Sequence, residues 1–309
     1  MGYRRVSVLG ADLVLAVPDA LTQRARALAT GRARVSAPGR KVTERPPAEA
    51  RALPPGTAAA SPEAARLLAR LAEVGWWYHT IELGHGVATP GGFDHRPYLP
   101  LYPIPADLSG LRVLDVATFD GFWAFEFARR GAAEVVALDV ARFGDLDLPA
   151  PARRAMSAEE LDRPVGRGFE VCRDLLGLGG RVRREALSVY DLSPARPGGG
   201  PFDLVFVGDL LLHLMNPARA LQAVASVVAP GGRAVVVETF DPNLPGGLVE
   251  FQGGGSDCVW WRMGLGALER MVRDAGFGEV RLVSKFRTGG AGERPWLWHA
   301  AFVCAPPQP

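Results

Sequence analysis

Between Leu111 and Val303, short and largely apolar runs alternate with segments of helical period, and this alternation constrains the fold more than any other feature. Leu111–Val116, Glu134–Val140, Val182–Ser188, Phe202–Val207 and Arg233–Thr239 read as strands. Phe122–Arg130, Phe169–Leu176 and Pro217–Val228 read as the helices between them. A run such as Ala234–Val237 has no polar face, as a strand buried on both sides of a parallel sheet requires. Repeated strand–helix units of this kind predict a doubly wound α/β domain. After Gly264 a helix carries Leu265, Leu268, Met271 and Ala275 at helical spacing. Glu279–Phe286 and Trp296–Val303 then read as a closing hairpin, and no internal repeat is visible.

The chain ahead of this alternation is different. Its first fifty residues hold nine basic and four acidic residues, and Pro38, Pro46, Pro47, Pro54 and Pro55 oppose long regular structure. The segment reads as a solvated, partly mobile arm in preference to an RNA-binding one. A helix is expected from Ser61, which supplies the cap, with Pro62 in the first turn, Glu63 at the positive end of the dipole and Gly75 to close it. Trp76–Leu83 and a turn-rich stretch follow. Residues 1–104 are therefore read as an N-terminal helical and irregular extension forming a substrate-side cap, and residues 105–309 as the α/β domain.

Composition narrows the class. Among 309 residues, 35 are Lys or Arg and 33 are Asp or Glu, a net charge of +2. That is not a surface built chiefly to neutralise phosphates. Lysine occurs only at positions 41 and 285, so nearly every base is arginine. Cys172, Cys258 and Cys304 are far apart and form no C-x-x-C pair, which speaks against a disulfide framework or zinc knuckle and for a reducing cytoplasm. Arg4 and Arg5 precede an apolar stretch as in an export signal, but Asp12 breaks it. No apolar run is long enough to span a membrane, so no membrane partner is expected.

Asp115-Val-Ala-Thr-Phe-Asp-Gly121 falls between the first strand and its helix, within the loop Leu114–Gly121. In a doubly wound sheet, ligands bind beyond the carboxyl ends of the strands. A dinucleotide site asks for G-x-G-x-x-G, so that backbone can approach a pyrophosphate. Ala117 and Phe119 stand where glycines are common, so a pyrophosphate fits badly. S-adenosylmethionine, which has no phosphate, tolerates such a loop; small Ala117 permits close approach and Gly121 the turn. Asp139 ends the second strand eighteen residues beyond Gly121, and its two oxygens suit a ribose diol. Expected cofactor contacts are thus Asp115, Ala117, Thr118, Phe119, Gly121 and Asp139. Val189 and Tyr190 follow at the adenine end, and Gly208 and Asp209 at the methyl-transfer end.

On these residues the chain resembles class I S-adenosylmethionine-dependent methyltransferases. The loop, the acid, Phe202–Pro217 (FDLVFVGDLLLHLMNP) and Ala229-Pro-Gly-Gly232 come in that family's order. The resemblance implies a Rossmann-like, doubly wound, seven-stranded, mostly parallel sheet in the order 3214576 with the last strand antiparallel. Within the family the chain looks most like the tRNA wobble-uridine carboxymethyltransferase-like group, through Gly168-Phe-Glu-Val-Cys172, Val237-Glu-Thr239 and Trp261 through Ala275-Gly-Phe277. Carboxymethyl transfer in that group uses lysine-bearing stretches ahead of the first strand. This chain has no lysine between positions 42 and 284, so plain S-adenosylmethionine is favoured.

Methyl transfer is an in-line displacement, and the protein must align the nucleophile and exclude water. His213, four residues after Asp209, is the first candidate for a base, with His79 and His85 behind it. Trp77, Tyr78, Glu82, His95 and Arg96 form a polar and aromatic stretch suited to a planar or sugar-like acceptor. Glu238 and Trp260, Trp261 and Arg262, beside a glycine hinge at Gly253-Gly-Gly-Ser256, complete the expected substrate contacts. His79-x5-His85 and Asp94-His95 match no metal-ligand spacing, and no metal is expected. The reading is of a cytoplasmic small-molecule methyltransferase acting at oxygen in specialised or cell-envelope metabolism, with a homodimer possible. A tRNA wobble-uridine methyltransferase is the alternative, and a protein that binds the cofactor or its product without transfer is the third.

Overall fold

The computed structural model describes residues 2–8, 11–17, 61–196, 200–253, 258–289 and 297–307. The arm expected between residues 18 and 60 lies outside the described residues, as do the hinge from residue 254 to 257 and Trp296 at the head of the closing hairpin. Two strands, β1 (Gly2–Val8) and β2 (Ala11–Val17), pair antiparallel from Gly2↔Val17 to Val8↔Ala11. The sequence reading did not include them; their β-branched and aliphatic runs favour extended backbone.

Helix α1 (Pro62–Leu71) begins where expected. The Ala64 N–H donates to the Ser61 hydroxyl at 3.1 Å, and Pro62 opens the first turn. It stops four residues short of Gly75, where the Trp77 indole N–H donates to the Leu71 carbonyl at 3.4 Å and takes one of the orphan acceptors. A small hairpin follows, β3 (Glu82–Gly84) and β4 (Val87–Ala88). The domain proper then runs β5 (Arg112–Val116), α2 (Phe122–Arg129), β6 (Glu134–Asp139), two short helices α3 (Ala150–Ala155) and α4 (Ala158–Asp162), α5 (Arg167–Leu175), β7 (Val182–Ala186), β8 (Phe202–Gly208), α6 (Pro217–Ser226), β9 (Val228–Thr239), the small strands β10 (Val249–Phe251) and β11 (Trp261–Met263), α7 (Leu265–Arg273), β12 (Glu279–Thr288) and β13 (Leu297–Ala305).

Seven of these strands form one sheet in the order β12-β13-β9-β8-β5-β6-β7, with β13 antiparallel to both neighbours and the other pairings parallel. Counted along the chain this is the expected order 3214576. Strand alternation sorts the core into two layers. Val113, Leu204, Phe206, Val235 and Val237 face Phe122, Phe125, Phe127 and Phe169 of α2 and α5. Leu114, Val116, Val205, Val207 and Val236 face Leu221, Val224, Leu268 and Val272 of α6 and α7. Full burial of each such side chain stabilises the fold by roughly 1.5–3 kcal/mol, so two filled faces hold the sheet between its helices. β9 begins five residues earlier than expected, because Val228 pairs with Phe202 before the ladder shifts to Leu204↔Arg233. The strand order reverses between β5 and β8, and a crevice opens there at the carboxyl ends.

Candidate active site

A cavity of about 310 Å³ occupies that crevice. Its floor is built from strand ends. Asp115 closes β5, is 1% exposed and accepts the Ala124 N–H at 3.1 Å. Burial pushes its carboxyl up to about 7 against that hydrogen bond. The loop beyond it is unusual: Ala117 (φ 60°) and Phe119 (φ 50°) both take left-handed backbone, where glycine is the easy choice. The Thr118 N–H to Leu138 carbonyl bond (3.0 Å) and the Gly121 N–H to Thr118 carbonyl bond (2.8 Å) hold the conformation. Gly121 itself has no substitute. Its φ is 95°, and an added Cβ would lie 2.5 Å from the Phe125 ring.

Asp139 ends β6 with a buried carboxylate. The Phe119 N–H donates to Oδ2 and the Val140 N–H to Oδ1, each at 2.8 Å. One donor per oxygen leaves a lone pair free on each, which is the acceptor set a vicinal diol needs. Val189 and Tyr190 form a short turn capped by Ser188, and they wall the far end with Phe143, Leu148 and Leu214. The Tyr190 hydroxyl donates to Asp147 and accepts the Asn216 N–H at 3.0 Å. Burial and the Asp147 charge both raise the phenol.

The other end is aromatic. Trp76 and Tyr78 meet Phe119 edge-on or tilted at 5.5 and 5.3 Å. His79 (6% exposed) is clamped by Asp120. One oxygen of that carboxylate accepts the backbone N–H groups of Tyr78 (2.8 Å) and His79 (2.9 Å), and the other meets His79 Nδ1. A proton on Nδ1 leaves Nε2 as an acceptor. The segment is pinned behind by Thr89, whose hydroxyl donates to the His79 carbonyl at 2.6 Å. Gly91 lies so close that a Cβ there would sit 2.0 Å from the His79 carbonyl carbon. His95 is pushed down to about 3, first by burial and then by His79, and Tyr102 donates to its Nδ1 at 3.3 Å. His213 ends a single turn, Leu211–His213, and its Nδ1 donates to the Cys258 carbonyl at 3.1 Å, leaving Nε2 as an acceptor. Asp209 also faces the cavity.

Comparison with known proteins fits this geometry. The family model described as methyltransferase domain matches residues 93–281, well over half of the chain. The chain belongs to the class I S-adenosylmethionine-dependent methyltransferases. It is similar to the ubiquinone biosynthesis O-methyltransferase of Neisseria meningitidis serogroup C (strain 053442), 30% identical over 138 residues, 45% of this chain and 48% of that protein. The enzyme of the same name from Xylella fastidiosa (strain 9a5c) is 32% identical over 169 residues, 50% of this chain and 57% of that one. The chain thus spans about half the length of the curated relatives it matches. Among solved structures, the N-terminal domain of EvdMO1 with SAH bound has a TM-score of 0.51 and 20% identity, over 78% of this chain and 96% of that one. That likeness shows the fold.

The methyltransferase's cavity suits its cofactor. Among the described residues its lining holds five aspartates (Asp115, Asp139, Asp145, Asp147 and Asp209) and no lysine or arginine. A sulfonium is welcome in such a field and a pyrophosphate is not. Of the expected contacts, Asp115, Ala117, Phe119, Asp139, Val189, Tyr190, Gly208, Asp209, Tyr78, His79, His95 and His213 line it. Thr118 and Gly121 shape the loop from beneath.

Other expected contacts do not line this cavity. His85 is exposed at the β3–β4 turn with φ 51°. Trp77 packs in the core and caps α1. Glu82 is exposed, and Arg96 is committed to Asp94 by a 2.8 Å hydrogen bond. Glu238 is fully buried, with the Leu211 and Thr239 N–H groups on its two oxygens. The indoles of Trp260 and Trp261 donate to the Asp147 and Leu214 carbonyls and brace the wall from outside. Arg262 pairs with Glu250 and Asp241. Sequence reasoning placed Trp76 in the aromatic stretch, but passed over Asp120, Trp123 and Asp147. An acid inside the loop motif was the available signal for Asp120. Among the described residues no group of three His, Cys, Asp or Glu is placed to hold a metal ion.

Proposed function

We propose that this methyltransferase carries a methyl group from S-adenosylmethionine to a hydroxyl oxygen of a small planar or sugar-like acceptor. The observation that carries the reading is that His213 and His79 both line the cavity, each with Nδ1 engaged and Nε2 left to accept. Bound with its ribose on Asp139, S-adenosylmethionine supplies an electrophilic methyl carbon. Trp76, Tyr78 and Phe119 exclude water and stack against the acceptor. The acceptor oxygen forms the new bond to carbon, the carbon–sulfur pair leaves with sulfur, and the acceptor's proton passes to His213 Nε2. A cavity of about 310 Å³ lies at the small-molecule end of the usual range. The relatives' activity, O-methylation, supports oxygen as the nucleophile.

The stretch from Trp76 to His95 acts, in this reading, on the acceptor side of the 105–309 domain, since Trp76, Tyr78, His79 and His95 line the cavity and precede the first strand of the large sheet. The stretches that resemble the tRNA wobble-uridine group give no support for an RNA acceptor. Phe169, Val171 and Cys172 fill one core layer, and Leu268, Val272 and Ala275 the other. They speak for the fold, not for the acceptor. Incubating the protein with methyl-labelled S-adenosylmethionine and cell extract tests the proposal. Label is expected in a small organic product. Label in tRNA selects the wobble-uridine reading instead, and label in neither leaves a protein that binds without transferring.

A further inference from the structure

His299 is fully enclosed, 1% exposed, and no role in the site has yet fallen to it. It stands on β13, opposite Thr239 of β9, with its ring stacked on Phe286 of β12 at 5.4 Å and 11°. Its Nδ1 is 3.1 Å from the Leu297 carbonyl oxygen. Its Nε2 is 3.2 Å from Oδ2 and 3.1 Å from Oδ1 of Asp209. A carbonyl and a carboxylate only accept, so both ring nitrogens carry protons and the ring is an imidazolium. Asp209 follows β8 in left-handed backbone (φ 48°), its N–H held by the Val237 carbonyl at 2.9 Å, and its side chain faces the acceptor end of the cavity. Among the described residues, only one of its acceptor sites is filled by a protein donor, and Oδ1 receives no hydrogen bond of its own.

We propose that His299 is a positioning residue for methyl transfer: its imidazolium fixes Asp209 as a carboxylate whose free lone pairs take the acceptor's hydroxyl hydrogen bond and aim the oxygen. The proposal rests on the methyl-transfer reading, and the proton itself still leaves to His213. The surroundings agree with it. Around this pair stand Glu238 from β9, His95 from the segment before the sheet and His213 from the turn after β8. Glu238 is pushed up to about 8 by burial and by Asp209, and His95 down to about 3. His299 is therefore the cation that answers Asp209, raised by that carboxylate against the effect of burial. Asp115 shows what a carboxyl in this crevice does without such a cation: burial takes it to about 7.

Two measurements test this. In protein carrying ¹⁵N-histidine, His299 is expected to show both nitrogens protonated at neutral pH, and to lose one proton in Asp209→Asn. A singly protonated His299 in the wild-type chain overturns the proposal without reference to any acceptor. The second measurement uses the acceptor found by label transfer. The ratio of kcat/KM in His299→Leu to that of wild type is expected to fall as pH is lowered, because without the imidazolium burial raises Asp209 and it protonates in the variant alone. His299→Gln, which keeps one N–H for Asp209, is expected to restore part of the loss, with SAH affinity unchanged in both variants. A ratio that does not vary with pH marks a merely structural role and overturns the proposal alone. Absence of transfer by the wild-type chain to any acceptor overturns the methyl-transfer reading and this proposal with it.

Discussion

At the scale of single residues, the site depends on which lone pairs are already spent. Asp139 gives one lone pair on each oxygen to a backbone N–H and keeps the rest for a diol. Hydrogen bonds to a charged acceptor contribute about 1.5–3 kcal/mol each. Asp139→Ala is therefore expected to weaken SAH binding by at least about tenfold in calorimetric titration, and unchanged affinity would remove the ribose assignment. His213→Ala is expected to lower kcat by about 10²–10⁴ while SAH affinity holds; full turnover would exclude His213 as the base. Both residues were legible in the sequence, because a strand end and a fixed offset betray them. Asp120 and His299 were not. Asp120 acts on backbone 41 or 42 residues earlier in the chain. His299 reaches Asp209 across 90 residues, only because β13 lies antiparallel beside β9. No local pattern encodes a contact of that range.

Among the elements, the segment that carries Trp76 to His95 has little regular structure beyond the β3–β4 hairpin and is closed by backbone hydrogen bonds such as Thr80 N–H to the Phe93 carbonyl (2.8 Å), together with the Asp120 and Thr89 side chains. Its buried histidine gives it a pH signature. His95 sits at about 3 against about 6.5 in an unfolded chain. Between those values the unfolded state binds the extra proton, so stability is present above the unfolded value and is lost as pH falls through the window. Relative to His95→Phe, the wild-type chain is expected to lose about 1.4 kcal/mol of unfolding free energy per pH unit below about 6. Denaturant titrations at several pH values check this; parallel curves for the two proteins would place His95 in water. The sheet elements themselves were readable to within a few residues, since buried parallel strands advertise themselves by composition. The edges were not: β9 runs back to Val228 because tertiary pairing, not propensity, sets its start.

Over the whole molecule, charge is nearly balanced at +2 while the cavity is acidic. A ligand that binds only the folded state stabilises it by about 2.7 kcal/mol at a hundred times its Kd. Saturating SAH is therefore expected to raise Tm by several degrees in scanning calorimetry, and NAD at equal concentration to leave it unmoved, because among the described residues no lysine or arginine lines the cavity to meet a pyrophosphate. A comparable shift with NAD would contradict the cofactor assignment. Fold class and cofactor were visible in the sequence because they repeat across a large family. The acceptor was not, since function in this fold resides in what is grafted onto the sheet.

Asp120 joins those two levels. It belongs to the cofactor loop, yet it holds the backbone and ring of the acceptor-side His79. A laboratory chimera that exchanged residues 76–95 for a relative's counterpart, to change acceptor, would inherit a mismatched clasp unless position 120 travelled with it. On the proposed reading, acceptor specificity in this chain is not a detachable module: the unit of exchange is the pair, wall and clasp together.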